Sequence, residues 1–152
     1  MVRQKLYQKE ALKEKLSVKQ QAGEKVVFTN GCFDILHVGH LRYLAEARAK
    51  GDLLVVGLNS DSSVRKLKGE KRPIVPESER AEMLANLEVV DYVVIFNETT
   101  AKSLIATLKP DTYVKGGDYK IEQLPEAEVV KETKGASTTN LVKKIIKIYG
   151  EG

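Results

Sequence analysis

A doubly wound, mostly parallel α/β sheet with helices on both faces is the fold class predicted, and two observations predict it. Short apolar runs of strand length alternate along the chain with segments of helical period, and parallel strands need crossover helices of that kind between them. Three turns, His37-Val38-Gly39-His40, Asn59-Ser60-Asp61 and Gly116-Gly117-Asp118, each follow directly on an apolar run. Sheets of this class bind ligands beyond the carboxyl ends of their strands, where the strand order reverses, so the three turns are expected to meet at one edge. The architecture implied is Rossmann-like.

The elements follow in order. Leu6, Leu12 and Leu16, with Tyr7 and Ala11 nearby, put an irregular apolar stripe on a Lys- and Glu-rich stretch, which predicts a docked helix in an N-terminal segment, 1–24, ahead of the main domain, 25–152. Gln21-Ala22-Gly23 stops it. Lys25-Val26-Val27-Phe28-Thr29 is a β-branched and aromatic run of the kind that fills a buried strand. Leu41, Leu44, Ala45 and Ala47 then recur at helical spacing, and Lys50-Gly51 supplies a basic last turn with glycine in the C′ position. The continuous apolar run 53–58 suits a parallel strand covered on both faces. Asn59-Ser60-Asp61 caps what comes next. From 65 to 72, six of eight residues are charged and a glycine interrupts, which predicts a mobile loop. A helix over 77–87 is expected to carry Met83, Leu84 and Leu87 inward. A strand over 92–96, a helix marked by Ala101, Leu104, Ile105 and Leu108, a strand Thr112-Tyr113-Val114-Lys115 and a final helix bearing Leu141, Val142, Ile145 and Ile146 complete the alternation.

Composition narrows the classes. At 152 residues the chain is one domain by length and large enough to bury a core without cross-links. The single cysteine, Cys32, excludes an internal disulfide, and a reducing cytoplasm is expected. The first 20 residues are too charged for a signal peptide, and no apolar run approaches membrane-spanning length. The net charge of +4 is compatible with nucleic acid, but the lysines are scattered rather than stacked in one basic block, and a site for phosphorylated small molecules also needs cations; no nucleic-acid partner is expected. Neither a Gly-x-x-x-x-Gly-Lys-Ser/Thr phosphate loop nor a Gly-x-Gly-x-x-Gly fingerprint is present. Two histidines and one cysteine cannot close a Cys/His zinc site.

The turn 29–40 carries the chemistry. A helix N-terminus presents backbone N–H groups and the positive end of its dipole, and Gly39 at its mouth lets a phosphate approach without a Cβ in the way. His37 and His40, three apart across the first helical turn, can converge on one anionic group as charge develops there. The bland alternative is a cap and a core histidine.

Gly31-Cys32-Phe33-Asp34 followed by His37-Val38-Gly39-His40 resembles the nucleotidyltransferase superfamily. Adding Asn59-Ser60-Asp61, Lys66-Leu67-Lys68-Gly69, Arg72-Pro73, Lys115-Gly116-Gly117-Asp118-Tyr119 and Ser137-Thr138-Thr139-Asn140 narrows the resemblance to heptose 1-phosphate adenylyltransferases, over about 25–148. The resemblance implies transfer of AMP from ATP to a sugar 1-phosphate with loss of pyrophosphate, Mg²⁺ as cofactor, and a homodimer. His37, His40 and Lys68 are then the expected catalytic residues. Thr29, Asn30, Gly31, Cys32, Phe33, Gly39, Arg80, Gly116, Gly117, Asp118, Ser137, Thr138 and Thr139 are expected to hold the nucleotide. Asp34, Asn59, Asp61 and Arg72 are assigned to the acceptor, and Asp118 to the metal. CTP with glycerol 3-phosphate, ATP with flavin mononucleotide, and a non-catalytic nucleotide- or RNA-binding module are the competing readings.

Several of these residues also have local explanations. Lys66, Lys68 and Arg72 suit a solvated charge run, Asp118 an Asx-turn, and Ser137-Thr138-Thr139 a helix cap. Cys32 reads as a small buried filler, since nothing near it in sequence would activate a thiol. The chain departs from the family in one place. A strand and loop expected just before Ser137 have no residues here, because Glu132-Thr133-Lys134-Gly135 runs almost straight into Ala136-Ser137; the segment is either deleted or, the favoured reading, a mobile loop left out of this sequence.

Overall fold

The computed structural model describes residues 4–116, 127–130 and 137–150. Five strands, β1 (Val26–Gly31), β2 (Leu53–Asn59), β3 (Tyr92–Phe96), β4 (Thr112–Gly116) and β5 (Ala127–Val130), form one sheet in the order β3-β2-β1-β4-β5. Every pairing among them is parallel. The chain winds from β1 outward through β2 to β3, then crosses back to place β4 on the other side of β1. The strand order therefore reverses between β1 and β4.

Six helices accompany the strands: α1 (Lys9–Gln21), α2 (Val38–Arg48), α3 (Asp61–Lys68), α4 (Glu77–Ala85), α5 (Lys102–Leu108) and α6 (Thr138–Tyr149). Strand alternation divides the core in two. Val27, Leu54, Val56, Leu58, Val93 and Val114 face Leu44 and Ala47 of α2 and Ala81, Leu84 and Ala85 of α4. Val26, Phe28, Val55, Tyr92, Val94 and Phe96 face Leu12 and Leu16 of α1 and Leu104 and Leu108 of α5. Period-2 strands fully buried on both faces explain why β2 reads as one apolar run.

The N-terminal segment is built into this second layer. Tyr7 N–H donates to Val93 O and Val93 N–H to Lys5 O, so residues 5–7 run along β3. Leu12 and Leu16 have no solvent exposure.

Several expectations change. The charged run predicted as a loop is helical through Lys68. Ser60 Oγ accepts the Ser63 N–H and starts α3, Val64 is buried, and the lysines and arginine lie on the exposed side, where Lys and Arg are good helix formers. The helix stops at Gly69, whose φ of +98° suits only glycine well. A fifth strand not marked in the sequence analysis, β5, pairs four residues with 113–116, while the junction at 131–136, where a strand and loop were thought missing, lies outside the described residues. The signal of β5 was the β-branched Val129-Val130, which is short enough to pass for a loop. Met83 is 54 % exposed instead of inward, because α4 turns Arg80, Ala81 and Leu84 to the core. That helix ends at Ala85, although Leu87 still packs on the core. Gly51 is not in the left-handed conformation expected of a C′ glycine. It is needed for room, since a Cβ there would lie 2.7 Å from Val27 Cγ2 and 2.9 Å from Lys25 O. Among the described residues no helix is long and apolar enough to cross a membrane.

If α1 belongs to the cooperative unit, Leu16→Ala should lower the unfolding free energy by about 2–5 kcal/mol, the usual result of opening a cavity in a closed core. Denaturant unfolding checks this. A change below about 0.5 kcal/mol, typical of surface positions, would make α1 an appendage.

Candidate active site

The loop from β1 to α2 is shaped by Asp34. The residues on either side of it, Phe33 (φ 47°) and Ile35 (φ 54°), occupy left-handed backbone that is costly for an aromatic and more so for a β-branched residue. What holds them is the Asp34 carboxylate, 2 % exposed, which accepts the N–H groups of Ile74 (2.9 Å) and Val75 (2.9 Å) and pairs with Arg72 at 3.3 Å. Thr138 Oγ1 donates to the Asp34 carbonyl at 2.7 Å and brings the start of α6 onto the same loop. Ser137 Oγ accepts the Asn140 N–H and caps that helix.

Beneath the loop lies Arg80, 1 % exposed. Its Nε donates to Val75 O, Nη1 to Cys32 O and Asn59 O, and Nη2 to Asp61 Oδ1 at 2.8 Å. One guanidinium thus ties the carboxyl ends of β1 and β2 to the segment before α4. Asp61 Oδ1 also accepts the Glu77 N–H.

The first turn of α2 fixes both imidazoles. His37 is the N-cap, its Nδ1 accepting the Gly39 N–H at 3.1 Å, and His40 Nδ1 accepts the His37 N–H at 3.3 Å. With Nδ1 an acceptor in each ring, the proton of a neutral imidazole sits on Nε2. The rings stack with centroids 3.9 Å apart, and His40 also meets Phe33 at 5.4 Å. Burial, then the neighbouring His37 and Lys68, push the His40 pKa down from 6.5 to about 4. At neutral pH His40 is therefore an uncharged donor.

A cavity of about 560 Å³ opens over the carboxyl ends of β1 and β4, at the reversal of strand order. Of the residues expected in the site, Asn30, Gly31, Cys32, Phe33, Asp34, His37, Gly39, His40, Asn59, Lys68, Ser137, Thr138 and Thr139 line it. Four others do not. Thr29 is fully buried below, its hydroxyl hydrogen-bonded to Tyr43 Oη. Arg80, Asp61 and Arg72 are engaged with protein groups around the loop and are absent from the lining. Gly116 closes β4, while Gly117 and Asp118 lie outside the described residues. The Cys32 thiol, pushed up by burial, stays protonated at neutral pH.

Tyr43, Leu67, Thr99 and Lys115 also line the cavity and were missed. Tyr43 lies three residues beyond His40 on the same face of α2, a spacing the sequence offered. Lys115, a lysine ending an apolar strand, was equally legible. Thr99, in the turn after β3, had no local signal.

The cytidylyltransferase-like family model matches residues 28–146. The bifunctional protein HldE of Geobacter sulfurreducens is 52 % identical over 146 residues, which are 90 % of this chain and 30 % of that protein. HldE of Aliarcobacter butzleri is 56 % identical over 139 residues, 87 % of this chain and 29 % of that protein. The chain thus spans about three-tenths of the length of these relatives. A solved structure, the lipopolysaccharide core biosynthesis protein of Thermoplasma volcanium, is 34 % identical with a TM-score of 0.62, covering 74 % of this chain and 98 % of that one.

Arg80→Met should destabilise the fold by about 3–5 kcal/mol in chemical denaturation, since it strands three carbonyls beneath the loop and removes the ion-pair partner of the half-buried Asp61. For His40, the ring should titrate near pH 4 by NMR. Its folded pKa lies below the unfolded value, so the unfolded chain binds the proton first as pH falls. The stability it contributes is complete above about pH 6.5 and is lost progressively on acidification through pH 4.

Proposed function

Because the chain belongs to the cytidylyltransferase-like family, we propose that it is an adenylyltransferase that joins AMP from ATP to a sugar 1-phosphate, heptose 1-phosphate in particular, giving ADP-heptose and pyrophosphate. The observation that carries this reading is the locked pair of imidazoles at the start of α2, facing a cavity that Lys68 and the capped N-terminus of α6 also border. High identity to HldE proteins and the likeness to a lipopolysaccharide core biosynthesis protein support the choice of acceptor.

In the proposed reaction an oxygen of the sugar phosphate attacks the α-phosphorus of ATP in line. The new O–P bond forms as the bond from the α-phosphorus to the bridging oxygen breaks, and pyrophosphate carries the electron pair away. No covalent intermediate with the protein is required, and catalysis is mainly positioning and charge stabilisation. His37 and His40 donate from Nε2 to phosphate oxygens whose charge grows in the transition state. A donor already fixed by the α2 cap needs no reorganisation when that charge appears. Asn30, Gly31, Cys32, Phe33 and Gly39 border the phosphates, Lys68 approaches from the end of α3, and Ser137, Thr138 and Thr139 bring a second helix N-terminus to the same anion. Asn59 faces the acceptor, while Asp34, Asp61, Arg72 and Arg80 act by holding the loops in place.

Among the described residues no cluster of three potential metal ligands forms, and the Asp34 oxygens are taken by N–H donors. Mg²⁺ is proposed to arrive with the triphosphate and to keep water ligands, with Asp118, outside the described residues, the proposed protein carboxylate. The ion supplies neutralisation of phosphate charge. We also place the protein in the cytoplasm as a homodimer. α6 has no buried residue and exposes Ile145, Ile146 and Ile148, leaving apolar surface available for association.

Purified protein with Mg²⁺, ATP and heptose 1-phosphate should release pyrophosphate and form ADP-heptose. His37→Ala and His40→Ala should each lower turnover about 10²- to 10³-fold with the fold retained. A matrix of four nucleoside triphosphates against heptose 1-phosphate, glycerol 3-phosphate and flavin mononucleotide ranks the alternatives. Preference for CTP would overturn the choice of nucleotide, and absence of pyrophosphate from every pair would leave a binding module.

A further inference from the structure

Lys115 ends β4 and is only 9 % exposed. Lysine is seldom buried to that degree, because taking an ammonium out of water is costly unless something compensates it. Strand alternation sets where the side chain goes. Tyr113, two residues earlier, packs on the α1 and α5 face and hydrogen-bonds Asn30 Oδ1 through its hydroxyl. Lys115 follows on the same side and donates from Nζ to the Asn30 carbonyl at 3.2 Å. It thereby lies in the cavity lining beside Asn30, in the same space that Lys68 borders.

We propose that Lys115 is a triphosphate-binding cation of this site, gripping the phosphates of the nucleotide from the sheet side while Lys68 meets them from the end of α3. The inference rests on the adenylyltransferase reading and adds a residue to it. A partly desolvated ammonium on a cavity wall is preorganised for a polyanion, since water already stripped from it need not be removed again when the ligand enters.

Its protonation fits this use. Burial, with the charge of Lys68 as a smaller influence in the same direction, lowers the Lys115 pKa to about 8, while Cys32 acts to raise it. Among the described residues, Cys32 in the loop after β1 and Lys68 at the end of α3 act on it electrostatically, and Asp34, His37, His40 and Tyr43 line the same cavity, with Arg80 beneath the loop. Asp34 and Arg80 are committed to the loop contacts described above. A triphosphate favours the ammonium form, so the pKa is higher in the complex than in the free protein. Nucleotide binding therefore takes up a proton near pH 8. Affinity is level below that pH and falls as pH rises through the free-state value toward the bound-state value.

Isothermal titration of Mg-ATP at pH 8, in two buffers of different ionisation enthalpy, measures the proton directly. Wild-type protein should take up roughly half a proton per ATP, as a group poised at its pKa requires. Lys115→Met should bind ATP roughly ten- to a hundredfold more weakly, the loss of one charge-assisted contact, and take up no proton at that pH. Lys115→Arg should keep more of the affinity and also show no uptake, because a guanidinium does not titrate there. Lys71→Met, at an exposed position outside the cavity, is the control. Thermal melts establish that each variant is folded. Wild-type affinity and proton uptake in both Lys115 variants would overturn the proposal, whereas wild-type protein that binds no ATP would overturn the adenylyltransferase reading instead.

Discussion

The guanidinium of Arg80 is the interaction on which the site depends. Buried arginine is tolerated only when its donors are met, and here carbonyls of Cys32, Asn59 and Val75 and the carboxylate of Asp61 meet four of its N–H groups. Those acceptors come from the ends of two adjacent strands and from the segment that leads into α4. Backbone carbonyls at strand ends have lost their ladder partners, so the arginine satisfies groups the sheet itself leaves open. Replacing it with an apolar side chain would leave them unsatisfied, which is why position 80 is held by a charged residue inside a helix whose neighbours at 81 and 84 are core.

On that base the Asp34 loop is built under strain. Two left-handed residues flank the aspartate, and amide donors from 74 and 75 fix its carboxylate. The tightness of this loop aims the chain into α2 with His37 at the cap. Capping and chemistry are therefore the same event in this helix: the hydrogen bonds that satisfy the first N–H groups also set both tautomers and both ring orientations. Ser137 repeats the arrangement at α6, where a cap and a phosphate site need not compete.

Charge around the cavity is balanced by burial. His40 is kept neutral by desolvation and by the neighbouring His37 and Lys68, and Lys115 is held partly out of water in the same lining. Lys68, on exposed helix, keeps its charge accessible. The result is an exposed lysine, a partly desolvated lysine, a neutral His40 and the capping His37 around a single space, an arrangement matched to an anion of several charges.

The sequence by itself determined the α/β class, the strands β1 to β4 and the place of the His37-to-His40 turn, because hydrophobic period and turn chemistry are local properties. It also marked thirteen residues that the fold gathers into one lining. Tertiary structure alone decided what Arg80, Arg72 and Asp61 touch. A charged side chain looks the same in sequence whether it faces a ligand or the open carbonyls of a strand end, and only the pairing of β1 beside β2 with α4 packed against them sets which it meets. The same holds for β5 and for the charged turn of α3. Four residues make a strand only when an edge is there to pair with, and Arg65, Lys66 and Lys68 stay helical because Val64 has a core to enter. Lys115 was visible as a lysine at the end of an apolar strand, but its partner Asn30 is 85 residues away, and that distance is closed only by the sheet.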